Sequence, residues 1–255
     1  MNKLPDTLYK YTSADAALKI LSTSQIRFSS PETFNDPFEV SPPVKITARN
    51  HKILEILKQE KITEEKLRDF LHKVCKYYCL NLKLFCLSKS KNNILMWSHY
   101  ADMHKGVVIE FDTSKEIIKE AKKIIYEIRK INIDKIYETL KKENEDNNKD
   151  YKKIFYHKSN KWRYEQEYRC ELPFTFNIDE LKRFLQKEEQ NTPLQQYVQI
   201  PGEGIKAVYL GCKISENDEL AILNIIKSKY PNVKCYKAEK CLDAYKLKFK
   251  KINIQ

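Results

Sequence analysis

Two carboxylates two residues apart, Glu165 and Glu167, lie in the stretch KWRYEQEYRC (161–170), among Trp162, Tyr164 and Tyr168. A two-residue strand period puts Arg163, Glu165, Glu167, Arg169 and Glu171 on one face. Trp162, Tyr164, Tyr168 and Cys170, with Gln166, take the other. Same-face neighbours on a strand sit about 7 Å apart. Paired carboxylates at that spacing suit acid–base work: one steadies developing positive charge while the other takes a proton. The same residues could instead form a solvated face of cross-strand ion pairs worth about 0.2–1 kcal/mol each.

Two further clusters mix polar groups with tyrosine and tryptophan, the composition of a ligand pocket. They are LYKYTS (8–13) and FCLSKSKNNILMWSHYADMHKGVVIEF (85–111). The candidate binding residues in them are Lys10, Tyr11, Ser88, Trp97, His99 and Tyr100. Each has an ordinary alternative: Trp97 a core aromatic, Lys10 an exposed strand lysine, His99 a satisfied histidine. Asn35 and Asp36, in SPETFNDPFE (30–39), suit side-chain hydrogen bonds that order a loop.

Several chemistries lack their signatures. The chain has four glycines and neither GxGxxG nor GxxxxGK[ST], so dinucleotide-fold and P-loop readings are unsupported. GxSxG and HExxH are absent, and His99 and His104, five apart, do not share a helical face. His72, Cys75 and Cys79 do share one, but no second pair completes a zinc set, so no metal is expected. Asp36, Glu39, Asp102 and Glu110 are the carboxylates open to a metal-dependent nuclease, without a recognisable ligand spacing.

The formal net charge of +12 concentrates at the end of the chain. Residues 227–255 hold nine lysines against Glu239 and Asp243. In YKLKFKK, Lys246, Lys248 and Lys250 alternate with Tyr245, Leu247 and Phe249, a lysine stripe able to track a nucleic-acid backbone. An edge strand guarded by lysine reads the same way. Seven cysteines without framework spacing suit reduced thiols. No apolar leader or membrane-length run is evident, so a cytoplasmic location is expected.

The elements that must position these groups alternate between the two periods. Strands are expected at 8–11, 25–29, 82–88, 106–112, from 161 to about 172, and at 203–211, 233–238 and 245–252. Helices are expected after Ser13, over 94–104 and 178–190, and from a cap at Ser215 to Pro231. Residues 50–83 read as two helices parted near Thr63, and 115–153 as a charged helical segment broken at 143–150. Together they describe one α+β domain over 1–255, a mixed or split sheet carrying helical insertions at 50–83 and 115–153.

In order, LYKYTS, SSPETFNDPFE, the 85–111 stretch and KWRYEQEYR resemble the bacterial family known as domain of unknown function 2971, from about Leu8 to Gly211. That label implies no activity. A more distant resemblance, to ADP-ribosyltransferase-like folds, implies one. YKYT with ADAALKILSTSQI is similar to their opening strand and helix, with Lys10 where arginine or histidine is usual, and EQE resembles their glutamate-x-glutamate motif. The resemblance implies NAD as substrate, with Glu167 on the ribose 2′-hydroxyl, Glu165 orienting or deprotonating the acceptor, and Lys10 on the pyrophosphate. Tyr11 or Trp97 would stack the nicotinamide, and Ser88, Trp97 or Tyr100 would serve the middle segment. The acceptor would be nucleic acid or protein, and a toxin or phage-defence effector role suits such an activity. The competing expectation is a non-catalytic module that senses a nucleotide and recruits nucleic acid through its basic tail.

Overall fold

The computed structural model describes residues 3–39, 63–127, 153–174, 177–187, 192–200 and 202–254, together with 55, 58 and 61. Strand β1 (Thr7–Thr12) stops at Ser13, whose extended backbone and hydroxyl, accepting from the Ala16 amide at 3.2 Å, start helix α1 (Ala14–Thr23). Ala14, Ala17, Ile20 and Leu21 bury one stripe of α1, and β2 (Gln25–Ser29) follows. Thr63 caps α2 (Glu64–Asn81), which leads into β3 (Leu84–Ser88). Asn93 caps α3 (Ile94–Tyr100), which precedes β4 (Val107–Asp112).

The expected helical insertions are partly corrected. Within 115–153, only Glu116–Lys119 (α4) is α-helical among the described residues, and Lys153 opens a short 3-10 turn. Helix α4 gives way to two short strands, β5 (Lys122–Lys123) and β6 (Ile125–Glu127), and residues 128–152 lie outside the described set. Most of the first proposed helix, before Thr63, also lies outside it. Next come β7 (His157–Ser159) and β8 (Glu167–Glu171). Helix α5 (Ile178–Lys187) packs on α2 around Tyr77, Phe184 and Leu181. Strands β9 (Gln195–Gln199) and β10 (Ile205–Leu210) lead to α6 (Glu216–Lys229), capped by Ser215. Strands β11 (Lys234–Lys240) and β12 (Leu247–Ile252) finish the described chain.

Ten of these strands form one mixed sheet in the order β12-β11-β10-β4-β1-β3-β2-β9, with β8 branching from β3 and β5 pairing with β8, while β6 and β7 pair separately as a parallel ribbon. The β10–β11 pair is parallel; the other pairs of this sheet are antiparallel. Helices α1 and α6 lie together on a core containing Leu8, Ile109 and Val208. An aromatic cluster around Tyr9, Tyr11, Trp97 and Tyr209 forms a second core.

After α3, the chain turns through three consecutive left-handed non-glycine residues: Asp102 (φ 43°), Met103 (φ 51°) and His104 (φ 70°). Gly106 then passes so close to the Thr12 carbonyl that a Cβ there would collide with it. A left-handed L-residue costs about 1–2 kcal/mol, and glycine returns part of that as chain entropy. Met103 is exposed, so Met103→Gly loses little packing and is expected to raise stability by about 0.5–1 kcal/mol, seen as a higher Tm.

Among the described residues strand β12 ends one side of the sheet, with Leu247 and Phe249 turned to the aromatic cluster and Lys248 and Lys250 exposed. The lysine stripe is therefore one of an edge strand, and Lys248 faces Glu239 across the ladder. Tyr245 does not continue the apolar face; it lies fully exposed in the turn before the strand, as Lys246 does.

Candidate functional site

The sheet is nearly split at its centre. β1 meets β3 through one register pair, Tyr9–Ser88, and β2 meets β3 through one, Ser29–Leu84. Strands joined at single points diverge, and a cavity of about 380 Å³ opens between them. Such a volume is at the small end of ligand pockets, about 300–1,000 Å³. Lys10 and Tyr11 enter from β1, Arg27 from β2, Ser88 from β3, and His99 and Tyr100 from α3. Glu165 and Glu167 form another wall beside Glu39 and Lys158.

The turn into β8 differs from the expected strand. Residues Asn160–Glu165 wind as a 3-10 helix, Gln166 caps it in the left-handed conformation (φ 47°), and only Glu167–Glu171 is extended. The two carboxylates reach one cavity because this kink swings Gln166 outward between them. The charged face is not solvated either: Glu165, Glu167 and Arg169 are 3%, 5% and 1% exposed. Tyr168 and Cys170, on the other side of β8, are buried as well.

What keeps these charges inside is a closed network. Lys158 Nζ lies 2.7 Å from Glu165 Oε2, 3.3 Å from Glu167 Oε2 and 3.1 Å from Glu39 Oε1, so an ammonium stands where three carboxylates converge. Arg169 donates through Nε to Glu167 Oε1 (2.6 Å) and through Nη2 to Glu167 Oε2 (3.0 Å). It also meets Glu39 Oε2 at 2.5 Å and donates through Nη1 to the Phe155 carbonyl at 2.7 Å. The Tyr100 hydroxyl donates to Glu165 Oε1 at 2.5 Å and accepts from Asn35 Nδ2 at 3.0 Å. Tyr126 Oη accepts from the Glu167 amide at 2.7 Å.

The two carboxylates are driven apart. Burial raises the pKa of Glu165, with Lys158 opposing the rise and Glu167 adding to it. Burial also penalises Glu167, but the Arg169 guanidinium and the Lys158 ammonium override it and hold its pKa at about 2. Burial works against the Lys158 charge too, yet Glu167, Glu39 and Glu165 outweigh it and hold that pKa above its usual value. For Lys10 burial wins: it lowers the pKa against the pull of Glu167, and Nζ donates to the Cys86 carbonyl at 3.0 Å, with the Phe85 ring 5.0 Å away.

The other expected residues divide. Trp97 is corrected from stacking platform to core: it is fully buried against Tyr11 and Phe249, and its Nε1 donates to the Lys91 carbonyl at 2.8 Å. Tyr11 lines the cavity but spends its hydroxyl on the Ser90 carbonyl (2.7 Å). Ser88 donates to the Glu165 carbonyl at 2.7 Å and thereby fixes the turn. Asp36 orders its loop, accepting from the Phe38 amide at 3.0 Å, whereas Asn35 reaches across to Tyr100. The carboxylates considered for a nuclease are separate: Glu39 joins the ion network, Glu110 accepts from Tyr209 Oη at 2.6 Å, and Asp102 lies in the left-handed turn. Lys246, Lys248 and Lys250 are not among the cavity's lining.

Arg27, Lys158 and the structural role of Arg169 escaped the sequence reasoning. Lys158 and Glu39 come from segments with no local periodicity toward β8. The usable signal was compositional: three acids near aromatics require buried cations.

No curated protein and no solved structure matches the chain. A family model described as protein of unknown function (DUF2971) matches residues 96–170, the span that carries most of α3, Lys158 and the Glu165–Glu167 turn.

Proposed function

We propose that the cavity binds NAD and cleaves its nicotinamide–ribose bond, passing ADP-ribose to a nucleophile on nucleic acid or protein. The observation behind this reading is the pair Glu165 and Glu167: one lysine between them, one cavity, opposite pKa shifts. Neighbouring titratable groups pushed apart in this way divide acid–base roles. In the proposed step the C1′–N bond breaks and its electron pair leaves with neutral nicotinamide. An acceptor hydroxyl or amine attacks C1′, and its proton passes to ionised Glu165. Glu167, ionised throughout, supplies fixed negative charge toward the oxocarbenium-like centre. Lys10 and Arg27 suit the pyrophosphate, and the rings of Tyr9, Tyr11 and His99 offer faces to the nicotinamide.

A second reading, nucleotide sensing without turnover, draws on one observation. Both Glu167 oxygens already accept charged hydrogen bonds, which spends much of that carboxylate's field. Both readings share the binding step, and calorimetric titration with NAD tests it. Charged hydrogen bonds contribute about 1.5–3 kcal/mol, so Lys10→Gln and Arg27→Gln should each weaken NAD about 10–100-fold. Absence of NAD binding at millimolar concentration defeats both readings.

A further inference from the structure

The turn that sends Glu165 and Glu167 into the cavity sends Arg163 and Gln166 the other way, into a separate open groove of about 450 Å³. The end of β3 divides likewise: Ser88 lines the cavity and Lys89 the groove, tied to the turn by the Lys89 amide donating to the Gln166 carbonyl at 3.0 Å. The groove therefore lies directly behind the carboxylate pair.

Its chemistry is one-sided. Lys89, Lys123 and Arg163 line it, with no carboxylate among its described lining residues. Among the described residues, Lys89 and Lys123 have no ion-pair partner, and Arg163 holds only a neutral one, Asn160 Oδ1 at 2.5 Å. Between these cations the wall is apolar and aromatic: Ile125, 49% exposed, with Tyr126 and the buried Tyr168. A phosphate chain meets the cations while its bases cover Ile125 and the Tyr126 ring, the division of labour that single strands require. A duplex, whose bases are stacked inward, leaves the apolar wall uncovered. An acidic peptide satisfies the cations but not the wall.

We infer that this groove binds single-stranded nucleic acid. Naming that strand as the acceptor of the ADP-ribosyl group rests on the NAD reading; its binding does not. The edge strand β12 is the rival surface, but there Lys248 faces Glu239, and Lys250 faces Lys237, which is itself paired with Glu219.

The test is fluorescence anisotropy with labelled DNA and RNA single strands of about 12 nucleotides, within the site sizes of single-strand binders. Three phosphate contacts give a log–log salt slope of about −2, so affinity should fall about 20-fold between about 50 and about 200 mM salt. Lys89→Gln with Lys123→Gln should weaken binding at least about 10-fold at low salt and bring the slope to about −0.7. Lys246→Gln with Lys248→Gln and Lys250→Gln should leave affinity within about twofold. The inference is overturned by no binding at low salt, by salt-independent binding, or by loss confined to the β12 variant. Displacement by a phosphopeptide below the oligonucleotide's own Kd also overturns it. NAD titration of the wild-type protein without oligonucleotide is read separately, so failure of the cavity reading is distinguishable from failure of the groove.

Discussion

Replacing Arg169 with methionine is expected to lower stability by about 3–5 kcal/mol, the range for stranding buried partners. The substitution leaves Glu167 without its two guanidinium hydrogen bonds, Glu39 with only Lys158, and the Phe155 carbonyl without its donor. A lower urea midpoint at unchanged slope would register it. A loss under about 1 kcal/mol would mean that the ion network is dispensable. The same variant should alter acid sensitivity. Glu167 has a folded pKa of about 2 against an ordinary 4.5, so its contribution is full above pH 4.5 and lost as pH falls toward 2. That difference is worth about 3 kcal/mol. Because Arg169 is the largest opponent of the burial penalty, Arg169→Met should flatten the acid limb of the stability profile. Glu165 runs the opposite way: its raised pKa contributes below pH 4.5 and is lost as pH rises through the folded value.

Glu165→Gln is expected to reduce NAD turnover by about 10²–10⁴-fold, the usual weight of a positioned general base, with the loss falling on kcat more than on KM. A base must be ionised to act. Wild-type kcat should therefore rise with pH through a pKa above the ordinary 4.5 of a glutamate, and this limb should vanish in the variant. Tyr100→Phe provides a directional check. The Tyr100 hydrogen bond favours the Glu165 carboxylate, so its removal should move the limb to higher pH rather than abolish it. A stationary limb would remove Glu165 from the role.

Much of the frame was legible because local chemistry wrote it. Ser13, Thr63 and Ser215 each cap the helix that their spacing announced, and QIRFS forms a strand over its expected five residues. Strand β9 went unseen because QQYVQ is mostly exposed and carries no apolar alternation; pairing with β2 makes it a strand. The site was legible as residue types but not as geometry. KWRYE has strand-like alternation, yet Gln166 turns left-handed, and the charged side faces inward because Glu39 and Lys158 come to meet it. Nothing near Arg169 in sequence announces Glu39, 130 positions away. Trp97 misled for a related reason. An aromatic in a polar motif reads as a platform, whereas here it fills the core beneath α3.

The proposed glycosyl transfer from NAD, with Glu165 as the base, has a direct chemical readout. Release of free nicotinamide by the purified protein, followed by chromatography with a single-stranded oligonucleotide present, tests it most directly. Nicotinamide release is expected from the wild-type protein and almost none from an equally folded Glu165→Gln variant. NAD recovered intact from the wild-type protein, or equal release by both, would contradict it.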